Sequence, residues 1–298
     1  MRTLAPALLL LLLAAAVHAD PRRCGDDVGG HRVPCDCGDV LVSSHTLGPD
    51  DPITSRVCPG TGLLVDVPPE RPATLAFADA GLKGSGHGYG LQVRSGGDGG
   101  LKVSGPGTIQ GFDIGVFAPT GGLAGAAELT VSDSRSDGFN VGADGTVLTG
   151  CTAGSNGRDG FALRGMGYRL EGNRALGNGR YGFVLRGRDG TVGDTSRNEA
   201  TGNGRSGFQV SGRGHDVQGP VATANGGAGI RAHVAAGRIR GAVTTANGGA
   251  GLRAVGHDLD LAGNEARGNG GGIQMRGARV RDGGGNRAED CRGGGACR

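Results

Sequence analysis

Three stretches of the chain read NGRDGFALRG (156–165), NGRYGFVLRG (178–187) and NGRSGFQVSG (203–212), 22 and then 25 residues apart. A near-copy at this period constrains the fold more than any other feature. A unit of about 22 residues cannot bury an apolar face alone and must do so against its neighbours. Anchoring the register on Gly followed by an apolar residue gives Gly90, Gly115, Gly138, Gly160, Gly182, Gly207, Gly229, Gly251 and Gly272, spaced 21 to 25 residues apart. Gly62, in TGLLVDV, is an earlier, looser anchor. The residues one and three places after the nine anchors, from Leu91/Val93 through Phe161/Leu163 to Ile273/Met275, are apolar at all eighteen positions. Those between and after them are mostly polar or small.

Strict alternation marks a strand with one buried face. One such strand per repeat predicts parallel stacking about 4.8 Å apart, with Phe139, Phe161, Phe183 and Phe208 forming an aromatic row inside. A second row precedes the strand: Asn156, Asn178, Asn203, Asn225, Asn247 and Asn269 hold one slot. Asn carries both an amide donor and a carbonyl acceptor, so stacked copies can bond in series. It also tolerates the left-handed backbone of a tight turn. A companion slot five residues earlier holds Asn173, Asn198 and Asn264, with Cys151 as its occupant in an earlier coil. Asn286 continues this row, which places Cys291 at the ladder slot of a last, incomplete coil. The expected fold is all-β, a single-stranded right-handed parallel β-helix of about ten coils. Its hand follows from the rule for parallel crossovers.

Composition agrees. The 66 glycines lack the every-third-residue spacing of collagen, and the fixed apolar register is unlike disorder. The opening MRTLAPALLLLLLAAAVHAD has a basic start, an apolar run and small residues before Ala19, which reads as a signal peptide over 1–19. The expected organisation continues with a Cys-rich cap and opening coil over 20–60, the helix over 61–290 and a tail over 291–298. A secreted or periplasmic monomer is expected, with no membrane insertion. Cysteines cluster at the ends: Cys24, Cys35, Cys37 and Cys58, then Cys291 and Cys297. In an exported chain they are disulfide candidates. Cys37–Cys58 is the preferred pair, since 21 residues is one repeat; the remaining connectivity is open. Cys151 reads as a buried structural thiol.

The segment CGDVLVSSHTLGPDDPITSRVCPGTGLLV (37–65) and the N-G-x-x-G-[FIL] coils (156–273) resemble the right-handed parallel β-helix proteins of the pectate-lyase-like superfamily. The likeness is greatest to members with short pectin-lyase-type repeats, such as periplasmic copper-site-maturation proteins. After Val65, PPERPATLAFADAG replaces the family's polar Asn-Gly turn, so the first coil is expected to be irregular. The resemblance implies a substrate laid along the outside of a stacked-strand face. It does not select among the lyases, hydrolases, epimerases, adhesins and phage spikes that share the fold.

The outward positions carry Arg94, Arg164, Arg186, Arg231, His233, Arg253 and Arg276. Of these, Arg164, Arg186, Arg231, His233, Arg253 and Arg276 are the candidate binding residues. Stacked guanidiniums match a row of carboxylates or sulfates, so an acidic polysaccharide is the expected partner. The alternative is a solvated face in an Arg-biased chain: 29 of its 31 basic residues are Arg. The near-balanced charge, 31 basic against 28 acidic residues, gives no reason to expect nucleic acid.

Catalytic residues are not identifiable. None of the nine clear strands has an outward Asp or Glu at the two slots scored, where a glycosidase needs two carboxyls. Asp137 and Asp159 share the slot before the anchor, with Arg158 beside one of them; turn chemistry explains them equally well. A polysaccharide lyase or epimerase is the alternative function, and Ca²⁺ would be needed only for a lyase. A non-catalytic structural rod is the third. The epimerase-like combination of Tyr, Asp and His in one strand is absent. His215-Asp216 and His257-Asp258 point to opposite faces if they lie in strands, so neither is expected to be a dyad. No Cys–His spacing suggests a metal site, and no cofactor is expected.

Overall fold

The structure, a computed structural model, describes residues 21–68, 70–94, 100–142, 144–289 and the backbone of 291–292. The expected signal peptide and Cys297 lie outside the described residues. The described chain winds as a parallel β-solenoid with three faces. The first face is a thirteen-stranded parallel sheet with one strand per coil, including Phe139–Gly142, Phe161–Met166, Phe183–Arg188, Phe208–Arg213, Ile230–Ala235, Ala250–His257 and Gly271–Arg276. A second face runs through Arg169–Glu171, Asp216–Gln218 and Arg238–Arg240, and a third through Arg174–Leu176, Glu199–Thr201 and Val221–Thr223. The sheet begins before the Gly anchors, at Arg23–Cys24 and Val40–Leu41.

All eighteen apolar strand residues of the repeat are buried. Register pairs like with like, so that Phe139, Phe161, Phe183 and Phe208 follow one another from coil to coil. Their rings stack at 4.8, 4.8 and 4.7 Å between centroids, within 10° of parallel. Each buried Phe contributes roughly 1.5–3 kcal/mol by burial, and each stacked pair roughly 0.5–1.5 kcal/mol more. The anchor is Gly because the chain approaches itself there. A Cβ on Gly160 would lie 2.7 Å from the Gly182 carbonyl and 2.8 Å from Asn178 Nδ2.

The Asn row forms a continuous hydrogen-bonded ladder. Asn156 Nδ2 donates to Asn178 Oδ1 at 2.9 Å, and the pattern repeats through Asn203, Asn225, Asn247 and Asn269 at 2.8–2.9 Å. Each of the interior amides fills its full capacity. Asn178 Nδ2 also donates to the Ala153 carbonyl at 3.1 Å, and its Oδ1 also accepts the Asn156 backbone N–H at 3.1 Å. The left-handed residue of the turn is not the Asn, as expected from its tolerance, but the residue before it. Ser155, Ala224 and Ala246 stand at φ +54 to +55°, and Gly177, Gly202 and Gly268 share the slot. The Asn keeps an ordinary backbone because its side chain must point along the ladder axis into the turn.

The companion row bonds Asn173 to Asn198 at 3.0 Å and Asn264 to Asn286 at 2.8 Å. Pro220 and Ala242 occupy the intervening slots. Cys151 heads the row, its backbone N–H donating to Asn173 Oδ1 at 2.9 Å. Its thiol is fully buried, and burial pushes its pKa up to about 11. Cys291 departs from its expected slot. It pairs in register with Ile273, in the first strand column, because the last coil is cut to 18 residues and its turn is shortened.

At the N-terminal end Cys24–Cys35 and Cys37–Cys58 are bonded. The segment after Val65 supplies a strand of its own, Ala73–Phe77, with Leu75 and Phe77 buried. The buried His45 ring lies between two carboxylates, with Nδ1 2.8 Å from Asp26 Oδ1 and Nε2 2.7 Å from Asp51 Oδ1.

The 25-residue coil between Gly182 and Gly207 also has a local cause. Its extra residues form a loop whose amides at Asp194, Thr195 and Ser196 converge on the buried Glu171 carboxylate at 2.9–3.1 Å. Burial alone would raise the Glu171 pKa; the three amides and the Thr195 hydroxyl outweigh it and hold it below the usual value. A depressed carboxylate stabilises above its unfolded pKa, and that contribution is lost as pH falls through the folded value. Glu171→Gln should therefore destabilise the protein near pH 7, and the gap to the parent should close in acid, read as thermal midpoints across pH. Asn178→Asp should cost about 3 kcal/mol in urea unfolding, since it sets a carboxylate oxygen against two acceptors in a buried site.

Candidate functional site

The outer surface of the first sheet is the candidate site, and the register sorts it into columns. Two residues after the anchor the coils present Ala162, Val184, Gln209, Arg231, Arg253 and Gln274. Four residues after it they present Arg164, Arg186, Ser211, His233, Val255 and Arg276. Arg164 stands on Arg186 and Arg231 on Arg253, in two columns rather than one. The six candidates thus form a two-column band along the sheet, interrupted in one coil by Gln209 and Ser211, and all of them are exposed. A third column, beyond the two slots scored in the sequence, adds Arg188 and Arg213.

The charge pattern separates this face from the others. On the second and third faces three arginines meet carboxylates of neighbouring coils, Arg169–Asp194 at 3.2 Å, Arg174–Glu199 at 3.3 Å and Arg240–Asp216 at 3.0 Å. Arg238, Arg281 and Arg287 stand in register beside Asp260 or Glu265. On the first sheet Arg164, Arg186, Arg231, Arg253 and Arg276 form no ion pair among the described residues. Like charges stacked one coil apart oppose folding.

The turn leading into the sheet carries a second set of cations. Arg158, Arg180 and Arg205 hold one slot, linked by backbone bonds from Arg180 N–H to the Arg158 carbonyl and from Arg205 N–H to the Arg180 carbonyl. Each leans on the residue before the anchor in the preceding coil. Arg158 Nε lies 4.0 Å from Asp137 Oδ1 and Arg180 Nε 3.7 Å from Asp159 Oδ1, while Arg205 lies over the Tyr181 ring at 5.7 Å. The R of the repeated NGR carried this signal in the sequence. In the next two coils the slot becomes Gly227 and Gly249, and the one after it Ala228 and Ala250. Side chains vanish there and a groove of about 460 Å³ opens, lined by Tyr181, Arg205, Arg231, Arg253 and Gln274 over a floor of Gly and Ala.

Asp137 and Asp159 are buried and structural in their contacts. Asp137 Oδ1 accepts the Asp159 backbone N–H and Asp159 Oδ1 that of Tyr181, both at 3.2 Å. Burial, then the Asp137 charge, raises the Asp159 pKa against its amide and the two arginines.

His215 is buried inside the solenoid wall. Its Nδ1 accepts the Gly190 N–H at 3.2 Å and its Nε2 lies 3.2 Å from the Ser211 carbonyl, a neutral tautomer's pattern. Asp216 faces out to Arg240. His257 and Asp258, by contrast, do meet, at 3.3 Å. Asp258 takes φ +52°, which turns its side chain back, so strand alternation does not apply. Its carboxylate, held down to about 2 chiefly by its Arg279 hydrogen bonds, is already engaged by that guanidinium. In the cap, Cys35, His45 and Asp51 converge within 4.8 Å, but the Cys35 sulfur is bonded to Cys24 and offers no thiolate. No described helix is long and apolar enough to cross a membrane.

His233 reports the field of the band. Partial desolvation by its neighbours, then the Arg231 and Arg253 charges, hold its pKa below the ordinary His value. Arg231→Gln should move the His233 midpoint upward in an NMR titration.

Residues 83–240 match the family described as "Right handed beta helix region". No curated protein sequence matches the chain. Among solved structures it is similar to the A-module of the Azotobacter vinelandii mannuronan C-5 epimerase AlgE6, at 16% identity over 85% of this chain and 88% of that one, TM-score 0.46. It is similar to the periplasmic alginate epimerase AlgG at 13% identity over 82% and 85%, TM-score 0.44. A GH87 α-1,3-glucanase catalytic unit from Streptomyces thermodiastaticus gives 14% identity over 86% and 64%, TM-score 0.44. Identities and scores this low bear on neither substrate nor mechanism.

Proposed function

The chain belongs to the right-handed β-helix family, and from that premise we propose that it binds an acidic polysaccharide along the outer face of its first sheet. The observation that carries this reading is the contrast between faces. On the second and third faces arginine alternates with acid along the axis. Arg169, Arg174 and Arg240 pair with carboxylates of neighbouring coils. Arg238, Arg281 and Arg287, although not ion-paired among the described residues, stand in register beside Asp260 or Glu265. On the first sheet guanidinium is stacked on guanidinium without a counter-charge. An Arg-rich composition alone would leave both patterns on every face. A stability cost confined to one face is the usual mark of a functional surface.

The spacing favours a glycan over other polyanions. From the Arg164 coil to the Arg276 coil, with Arg213 of the third column serving the coil of Gln209 and Ser211, the sheet places about one cation per 4.8 Å. This is close to the length of one sugar ring, so one carboxylate per ring matches one guanidinium per coil. Duplex nucleic acid carries a charge every ~1.7 Å, about three times as dense. Lysis or epimerisation is the weaker reading, since the carboxylates nearest the band, Asp137 and Asp159, are engaged with turn amides. Two disulfides in the cap fit an oxidising compartment outside the cytoplasm.

Arg164→Gln with Arg186→Gln should lower retention on immobilised polyuronate several-fold at low salt, with the difference shrinking toward 0.5 M salt as screening removes it. Affinity electrophoresis in pectate or alginate gels checks this. Equal retention of variant and parent at every salt concentration would count against the band as the binding face.

A further inference from the structure

The repeat changes its wording halfway along. Coils that begin NGRDGF, NGRYGF and NGRSGF give way to NGGAGI and NGGAGL. The two positions that change are those that project from the turn at the edge of the first sheet. Upstream they carry the Arg column and Asp137, Asp159, Tyr181 and Ser206; downstream they carry only Gly227, Ala228, Gly249 and Ala250. The backbone of the turn is unaltered, since Gly226 N–H still donates to the Asn203 carbonyl and Gly227 N–H to that of Arg205, both at 2.8 Å. The groove is thus made by deleting side chains from an unchanged frame.

Its walls are chemically specific. One end is closed by Tyr181 with the Arg205 guanidinium over its ring. Arg205 is the first member of its column without a carboxylate beside it. One flank carries Arg231 stacked on Arg253, then Gln274 in the same column. No Asp or Glu lines the groove. At about 460 Å³ it falls within the roughly 300–1,000 Å³ of small-molecule sites.

We infer that this groove is a subsite for one or two carboxylated pyranose rings, their faces on the Gly–Ala floor and their carboxylates bridging Arg231 and Arg253. A flat floor of small residues admits a ring, which the Arg-filled coils upstream exclude. Two guanidiniums one coil apart grip a planar carboxylate from two sides, one by its fork and one by a single N–H. Arg205 and Tyr181 close the non-carboxylate end, and Gln274 offers an amide to ring hydroxyls. The inference rests on the reading of this face as a polyanion track and adds to it a fixed position and a ligand class, a uronate.

The test exploits the repeat. Tyr is already accommodated in the slot before the anchor at Tyr181, so Ala228→Tyr and Ala250→Tyr refill the groove with a side chain the frame tolerates. Binding of hexameric oligogalacturonate and oligomannuronate is measured by calorimetry for the parent, for the Ala228→Tyr/Ala250→Tyr variant, for Arg231→Gln/Arg253→Gln, and for Arg174→Gln on the third face as a control. Thermal unfolding is recorded for each. The expected result is at least a ten-fold loss of affinity for one of the hexamers in both double variants and none in the control. If refilling the groove leaves affinity unchanged while the Arg variant loses it, the subsite is overturned and the track survives. If the parent binds neither hexamer at low salt, both fall. If a dextran sulfate oligomer binds as tightly as the uronates and is equally sensitive to refilling, the assignment to a carboxylate is overturned.

Discussion

The structure depends on hydrogen bonds that run along the solenoid axis through identical side chains. A turn buried between coils must satisfy its own backbone groups, because water does not reach it. The Asn ladder does this with one residue per coil. Its carbonyl oxygen accepts one backbone and one side-chain N–H, and its amide donates to one carbonyl and one neighbouring Asn. An interior member makes all of these bonds because the coils before and after place an Asn at the same height. The last member, Asn269, turns its amide to the Thr244 carbonyl and hydroxyl instead. The ladder therefore fixes register as well as stability, and register is what a parallel sheet most needs, since a one-residue slip reverses every strand.

Once register is fixed, any residue repeated in the sequence becomes a column in space, and the consequences differ with chemistry. Repeated Phe becomes a stack with nearly parallel rings. Repeated Gly lets the chain pass close to the ladder amide. Repeated Arg becomes a line of like charge, which is unfavourable for the protein alone. The second and third faces avoid that outcome by alternating Arg with Asp or Glu along the axis, as at Arg174 and Glu199. The first sheet does not avoid it, and the proposed function follows from that difference.

Most of the fold was legible in the sequence because a period of two lay inside a period near 22, and each period has one physical cause. Features with no period were not legible. The pairing of Cys24 with Cys35, and the burial of His45 between Asp26 and Asp51, belong to a cap that occurs once. The shortened last coil that carries Cys291 into the strand column is likewise a single event. The candidate residues could be assigned to slots, but their freedom from ion pairs could not. A counter-ion such as Asp194 arrives from a loop inserted in the neighbouring coil, 25 residues away from Arg169.

The same logic explains why a solenoid can acquire a site without disturbing its fold. Residues that project from a turn make no ladder contact, so their removal leaves the Asn bonds intact: Asn203 to Asn225 and Asn225 to Asn247 are both 2.8 Å across the coils that carry Gly and Ala. An Arg or Tyr taken from those slots costs the core nothing, whereas a change at Asn225 or Gly229 would propagate to both neighbours. Variation is thus tolerated at positions outside the ladder and the core, the rim of the first sheet among them. On that rim the chain leaves a gap beside its unpaired arginines, where a ligand can come closest to the charge that the protein alone does not neutralise.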